Sequence, residues 1–282
     1  MTPSLFSVPV TDLIPRRASW RSYADAPVDR GGQEKIRAFF RALPPPPFGS
    51  SVRVDLVDAP RGMSGLAGTY GMVKGALHFL VGAAESGPRD MEDFGFQFEQ
   101  VILYATDLGL ATCWIGATFR RGLFGDRIGL EENETIPAVS PVGWAAGRRT
   151  MKDRLSRWVV SSAKRKPWEE LFFEGNFSRP LTREAAGAHA ECLEMVRLAP
   201  SATNKQPWRI VADNGRFHLF LARSPGYATM LPGPDMQRID MGIAMCHFWL
   251  TAREQNLPGG WAQADPGLPL PQGSEYVATW TE

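Results

Sequence analysis

Residues 93–110 read DFGFQFEQVILYATDLGL, and residues 240–257 read DMGIAMCHFWLTAREQNL. Subtracting 93 from 240 gives an offset of 147, which aligns the two stretches without a gap. It pairs Asp93 with Asp240, Gly95 with Gly242, Leu103 with Leu250, Ala105 with Ala252 and Leu110 with Leu257. Each stretch opens on an aspartate suited to cap a helix N-terminus. On a helical projection Gln100, Thr106 and Asp107 coincide with His247, Arg253 and Glu254. The remaining face is wide and apolar, as expected of a largely buried helix. Two unrelated amphipathic helices are the plainer alternative; matched identities, caps and polar positions speak against it. The chain carries an internal duplication.

The flanks repeat as well. GALHFLVG (75–82) matches GRFHLFLA (215–222), each a strand by its residues. IRAFFRAL (36–43) and LEMVRLA (193–199) read as helices, and VSPVGWAA (139–146) and SEYVATW (274–280) as closing strands. Each copy then runs helix, turn, strand, strand, buried helix, strand, which predicts an α+β sandwich. The expected layout is copy one over 1–150, a crossover connector over 151–176 and copy two over 177–282, forming one compact unit. The two copies face each other like the subunits of a symmetric dimer, with the long helices between them.

The totals fit a globular protein and narrow its partners. The 282 residues carry 31 Lys and Arg against 30 Asp and Glu, a formal net charge of +1 that gives no sign of nucleic-acid binding. Three scattered cysteines, Cys113, Cys192 and Cys246, argue against a disulfide framework, a zinc knuckle or a thioredoxin-type site. MTPSLFSVPVTDLIPRR lacks the form of a signal peptide, and no apolar run is long enough for a bilayer. The expected location is the cytoplasm. His78 and His218 occupy equivalent strand positions, His247 lies on the polar side of a helix and His189 in a helical stretch. None pairs as a ligand set or triad, so structural roles and no metal are expected.

Three patches carry the chemistry. RRASWRSYADAPV (16–28) sets Arg16, Arg17 and Arg21 around Ser19, groups suited to a phosphate, though a solvated basic turn has the same composition. PSATNKQPW (200–208) offers Ser201, Thr203 and Asn204 after a helix stop, either to a planar polar ligand or simply to a capped turn. GLATCWIGATFRR (109–121) ends the first buried helix. There Gly116, beside Ile115, lets backbone approach a ligand or merely makes a turn. The second patch has a degenerate twin: RALPPPPFGSSVRVD (41–55) aligns with RLAPSATNKQPWRIV (197–211) at an offset of 156, with PPPFG in place of SATNK.

The basic start, the APSATNKQPW loop, the ATDLGLATCWIG helix end, and PVGWAAG followed by KRKPWEEL together resemble the FMN-dependent nitroreductase family over nearly the whole chain. The layout is most similar to the family's single-chain duplicated, Thermotoga-type group. The resemblance implies a nitroreductase-like sandwich with FMN as cofactor. Arg17, Ser19, Arg21, Lys164 and Arg165 would hold the phosphate, Ile115 and Gly116 would lie by the isoalloxazine, and Ser201, Thr203 and Asn204 would arrive from copy two. Ala18 stands where the family usually has a second arginine or another polar residue, and Gly116-Ala117 replaces its acidic-Gly pair. Because only copy two keeps the polar loop, one FMN site per chain is expected.

The implied activity is ping-pong hydride transfer from NAD(P)H through FMN to a small aromatic acceptor such as a nitroaromatic or quinone, with no catalytic side chain. The internal pairing makes a monomer the expected assembly, with no nucleic-acid or membrane partner. Two other readings stand beside it: a flavin-binding or storage protein without turnover, and an interaction scaffold using the PPPP run at 44–47.

Overall fold

A computed structural model describes residues 5–59, 71, 73–147, 164–226 and 233–282. The first half of the expected connector, 151–163, therefore lies outside the described residues. Copy one contains α1 (Val10–Arg16), α2 (Arg30–Arg41), β1 (Val52–Asp58), β2 (His78–Glu85) and the long α3 (Asp90–Asp107). The short β3 (Ala111–Thr112), α4 (Arg121–Ile128), β4 (Glu134–Thr135) and β5 (Val139–Gly143) complete it. After the crossover come β6 (Phe172–Glu174), α5 (Arg183–Ala186), α6 (Ala190–Leu198), β7 (Trp208–Asp213) and β8 (Arg216–Ala222). The chain closes with the long α7 (Met236–Glu254), β9 (Gly260–Ala262) and β10 (Ser274–Thr281).

The duplication reappears in the sheets. Sheet one has the order β1-β2-β5-β3, with β4 also paired to β2; sheet two has the order β6-β7-β8-β10-β9. Setting β6 aside, the two orders are the same path through equivalent strands. His78 and His218 mark matched places, opposite Val142 on β5 and Thr279 on β10. β6 pairs in parallel with β7, Phe172 beside Ile210, so the end of the expected connector is a strand of sheet two. The first repeat strand is read three residues early in the sequence: β2 begins at His78, behind Gly75, whose φ of 78° breaks the extended run.

α3 and α7 pack between the sheets and cross where the duplicated glycines meet. A Cβ on Gly242 would strike the carbonyl oxygen of Glu92, and one on Gly95 that of Ile239. Only glycine allows two helix backbones to come this close. A continuous apolar core joins both copies through Phe94, Phe98, Val101 and Ile102 of α3 and Met241, Met245 and Phe248 of α7. β2 alternates as a strand covered on both faces should. Leu80 faces α3 and that core, whereas Phe79 and Val81 join an outer cluster with Phe119 and Phe124.

Asp93 and Asp240 do not cap the helices. α3 starts at Asp90, and α7 at Met236 behind Asp235, whose carboxylate accepts from the Gln237 and Arg238 N–H groups. The repeated aspartates lie one turn inside and hold the loops instead. Asp93 accepts from Phe48 N and Ser50 N at 3.0 and 2.8 Å. Asp240 accepts from Ala202 N at 2.9 Å. Among the described residues no helix is long and apolar enough to cross a membrane.

Candidate cofactor site

The basic segment leaves α1 at Arg17 in extended conformation, φ −58° and ψ 127°. It lies along β3, with Ser19 bridged to Thr112 and Trp20 N donating to Thr112 O at 2.8 Å. Extended backbone alternates its side chains. Ala18 and Trp20 turn to a shallow surface depression with Gly109 and Ala111. Arg17, Ser19 and Arg21 take the other face and gather around the buried Cys113. Burial raises that thiol's pKa, while Arg21, Arg17 and a hydrogen bond with Ser19 oppose the rise. Ile115 continues from β3 in backbone pairing with Val139, 2.9 Å in each direction. Gly116 offers its carbonyl to Arg121 Nη2 at 2.8 Å, and a Cβ on it would strike Met236 Sδ at the start of α7.

Copy two brings its loop to the same place. α6 stops at Leu198, since Ala199, ahead of Pro200, is held extended at ψ 145°. Three residues of the following turn have left-handed backbone: Thr203 at φ 49°, Asn204 at 56° and Gln206 at 50°. A β-branched threonine is strained there, and the surrounding bonds must hold it. Ser201 Oγ accepts from Gln206 N at 2.8 Å, and Asp240 holds Ala202. Thr203 is exposed on the turn.

The chain returning from the crossover is bonded onto this loop. Asn204 Nδ2 donates to Lys164 O at 2.7 Å, and Arg165 Nη1 donates to Asn204 Oδ1 at 3.2 Å. Lys166 N donates to Gln206 Oε1 at 2.7 Å. Lys164 thus joins through its carbonyl, with its side chain exposed. Burial, the nearby Arg17 and then Arg197 lower the pKa of Arg165 to about 10. The Arg17 side chain is 6% exposed, its Nε lies 3.8 Å from Glu99 Oε1, and its Nε and Nη1 have no hydrogen-bond partner. The Arg17 side chain, nearly excluded from water, thus lies beside the half-buried guanidinium of Arg165.

The sequence-level site thus gathers in two linked parts. Arg17, Lys164, Arg165, Ser201 and Asn204 meet across the copies, with Thr203 on the outer turn. Ser19, Arg21, Ile115 and Gly116 line the adjoining end of β3. Sequence reasoning missed Gln206, which pins the loop, and Glu99, Trp114 and His247 beneath Arg17. His247, expected on a polar helix face, is wholly buried against Glu99. A signal was present, since the offset of 147 places Glu99 on Cys246 and Gln100 on His247.

The mirror position is filled by the chain itself. Arg89 lies 5.9 Å from the Phe48 ring centroid and bonds Glu92 at 3.0 Å. Arg238 bridges Glu92 and Glu275 at 2.7 and 2.6 Å, and Arg223 bridges Glu275 and Asp235 at 2.7 and 2.6 Å. The Tyr276 hydroxyl accepts from Ala264 N at 2.8 Å, and Ala264 is the repeat counterpart of Ala117.

Comparison with known proteins agrees with this architecture. Among solved structures, a Thermotoga maritima protein described as a "putative nitroreductase" superposes with a TM-score of 0.60 at 20% identity, covering 97% of this chain and 93% of that one. An FMN-dependent nitroreductase from Clostridium difficile aligns over 49% of this chain and 88% of its own, at 19% identity and a TM-score of 0.41. No curated protein matches. Residues 9–252 match the sequence family described as "Putative TM nitroreductase", and the chain belongs to that family.

Proposed function

We propose that this chain is an FMN-dependent oxidoreductase with one flavin site, built between copy one (1–150) and copy two (177–282) and stitched by the crossover (151–176). The observation that carries the reading is the meeting of Arg17, with two buried nitrogens unpartnered, and Arg165, bonded to Asn204 of the other copy. A phosphate monoester would give the unpartnered Arg17 nitrogens an anionic acceptor, through charge-assisted hydrogen bonds. Ser19 and Arg21 would complete the phosphate group, and Ile115 and Gly116 would border the ring. Ser201, Thr203 and Asn204 would close the cleft from copy two. Bound there, FMN would supply reversible hydride acceptance at N5.

The chain's own part is to bind, orient and exclude water. Gly116 lets β3 and the start of α7 pack closely, with Met236 Sδ taking the place that a side chain at 116 would fill. The strained loop is held by Ser201, Gln206 and Asp240, so copy two presents Asn204 in a fixed place. NADH or NADPH and a small aromatic acceptor, a nitroaromatic or quinone, would then use the single cleft in turn. No side chain is needed as acid, base or nucleophile.

Purified protein, or apoprotein titrated with FMN, is expected to be yellow. Without oxygen, NADH or NADPH is expected to bleach the flavin absorbance near about 450 nm. A colourless protein that takes up no FMN overturns the reading. A yellow protein that neither nucleotide bleaches is a flavin holder rather than an oxidoreductase.

A further inference from the structure

We propose that Glu99 and His247 are positioning residues, a buried pair with one member from each copy that holds Arg17 toward the phosphate of the bound flavin. The inference rests on the flavin reading above. Both side chains are fully buried. His247 Nδ1 lies 2.9 Å from the Met195 carbonyl, and Nε2 lies 3.0 Å from Glu99 Oε1. A carbonyl only accepts, so Nδ1 carries a hydrogen. One further proton is shared between Nε2 and the carboxylate. Whichever atom carries it, the pair is neutral as a unit and leaves the charge of Arg17 uncancelled.

The remaining geometry orients without neutralising. Glu99 Oε2 accepts from Trp114 Nε1 at 2.7 Å, which fixes the carboxyl plane. Oε1 lies 3.8 Å from Arg17 Nε, near enough to attract the guanidinium and too long for a hydrogen bond. Arg17 is therefore drawn to one place with Nε and Nη1 still unpaired. A buried cation in that condition favours an anionic ligand.

The duplication supplies an internal control. Trp114 and Trp261 are repeat counterparts, and Trp261 Nε1 donates to the Met245 carbonyl at 3.0 Å. The counterparts of Glu99 and His247 are Cys246 and Gln100, an uncharged pair, and Gln100 Nε2 bonds its own helix at Phe96 O, 3.2 Å away. Both sides keep the tryptophan, but only the side with Arg17 has the carboxylate and imidazole. A clamp between helices has no reason to choose that side; a support for Arg17 does.

The test compares FMN with riboflavin, which lacks the phosphate, on wild-type apoprotein and on Glu99→Gln, which keeps an acceptor for Trp114. FMN affinity is expected to fall about tenfold or more while riboflavin affinity stays within about twofold. Equal losses for both ligands, or no loss for FMN, overturn the proposal. Wild-type protein that binds neither flavin is a different result: it removes the flavin reading and this inference with it. If Glu99→Gln does not fold, the His247 imidazole nitrogen shifts of the wild-type protein decide. They are expected to move with FMN and not with riboflavin, and an identical response to both overturns the assignment.

Discussion

Asp240 lies wholly inside α7, and its two carboxylate oxygens have different fates: Oδ1 takes the Ala202 N–H, whereas Oδ2 meets no donor. Burial raises its pKa well above the ordinary carboxylate value, against the lowering effect of the Ala202 bond. Its repeat partner Asp93 spends both oxygens on the Phe48 and Ser50 N–H groups, and burial raises that pKa too. A folded pKa above the unfolded one contributes stability that is complete below the unfolded value, about 4, and is lost as pH rises through the folded value. Asp240→Asn keeps an acceptor for Ala202 and cannot ionise. Its stability relative to wild type is therefore expected to climb as pH is raised from about 4, by up to about 1.4 kcal/mol per pH unit, the limit for one proton. Urea unfolding of both proteins from pH 4 to 8 measures this, and a constant difference would show that Asp240 ionises alike in both states. From sequence alone these aspartates look like caps because each opens an apolar helical run. Nothing local tells a cap from a loop anchor, since the donors stand 45 residues away for Asp93 and 38 for Asp240.

At the scale of elements, the crossing of α3 and α7 determines the architecture, and two glycines determine the crossing. The same steric demand acts on both helices at equivalent places, so Gly95 and Gly242 repeat in register and the duplication is legible in the sequence. Gly242→Ala would put a methyl group into the Glu92 carbonyl and against Phe96 N, where only backbone can give way. The expected cost is about 1–3 kcal/mol or more, seen as a lower thermal midpoint. Gly122→Ala is the contrast: it lies in α4 with open space around the new methyl group, and a gain of about 0.5–1 kcal/mol is expected. If both variants moved the midpoint alike, the helices would not be in backbone contact. The strands and long helices were readable because their periodicity is local. The polar loop was readable as a departure from its own repeat. The Arg17, Glu99, Trp114 and His247 cluster was not, because its members come from separate segments and His247 joins only when the two copies close. β6 was hidden for the same reason, since FFE has no strand signature until β7 lies beside it.

For the whole molecule, near-symmetry of the sheets coexists with asymmetry of the clefts, and the energetics of charge explain how. On the retained side, Arg17 and Arg165 stand close together, Glu99 is shared among Arg17, Trp114 and His247, and two Arg17 nitrogens have no hydrogen-bond partner. On the mirror side, Arg89, Arg223 and Arg238 face Glu92, Asp235 and Glu275, and each arginine has an acidic partner within 3.0 Å. In this half-buried network the fully buried Glu92 is the member most dependent on its partners, because losing them would leave its charge uncompensated. Phe48, under Arg89, also puts an aromatic ring where the retained loop has Asn204 at the aligned position. An incoming phosphate would have to break ion pairs on the mirror side, whereas on the retained side it would meet the unpartnered Arg17 nitrogens. One FMN per chain is therefore expected, measured as flavin released by denaturation against protein concentration. Arg238→Ala is expected to lower stability by loosening Glu92 and Glu275 while leaving the stoichiometry at one, since copy one still lacks a polar loop to receive a second flavin. Two flavins in either protein would mean that the ion network lies beside a working cleft instead of filling its place.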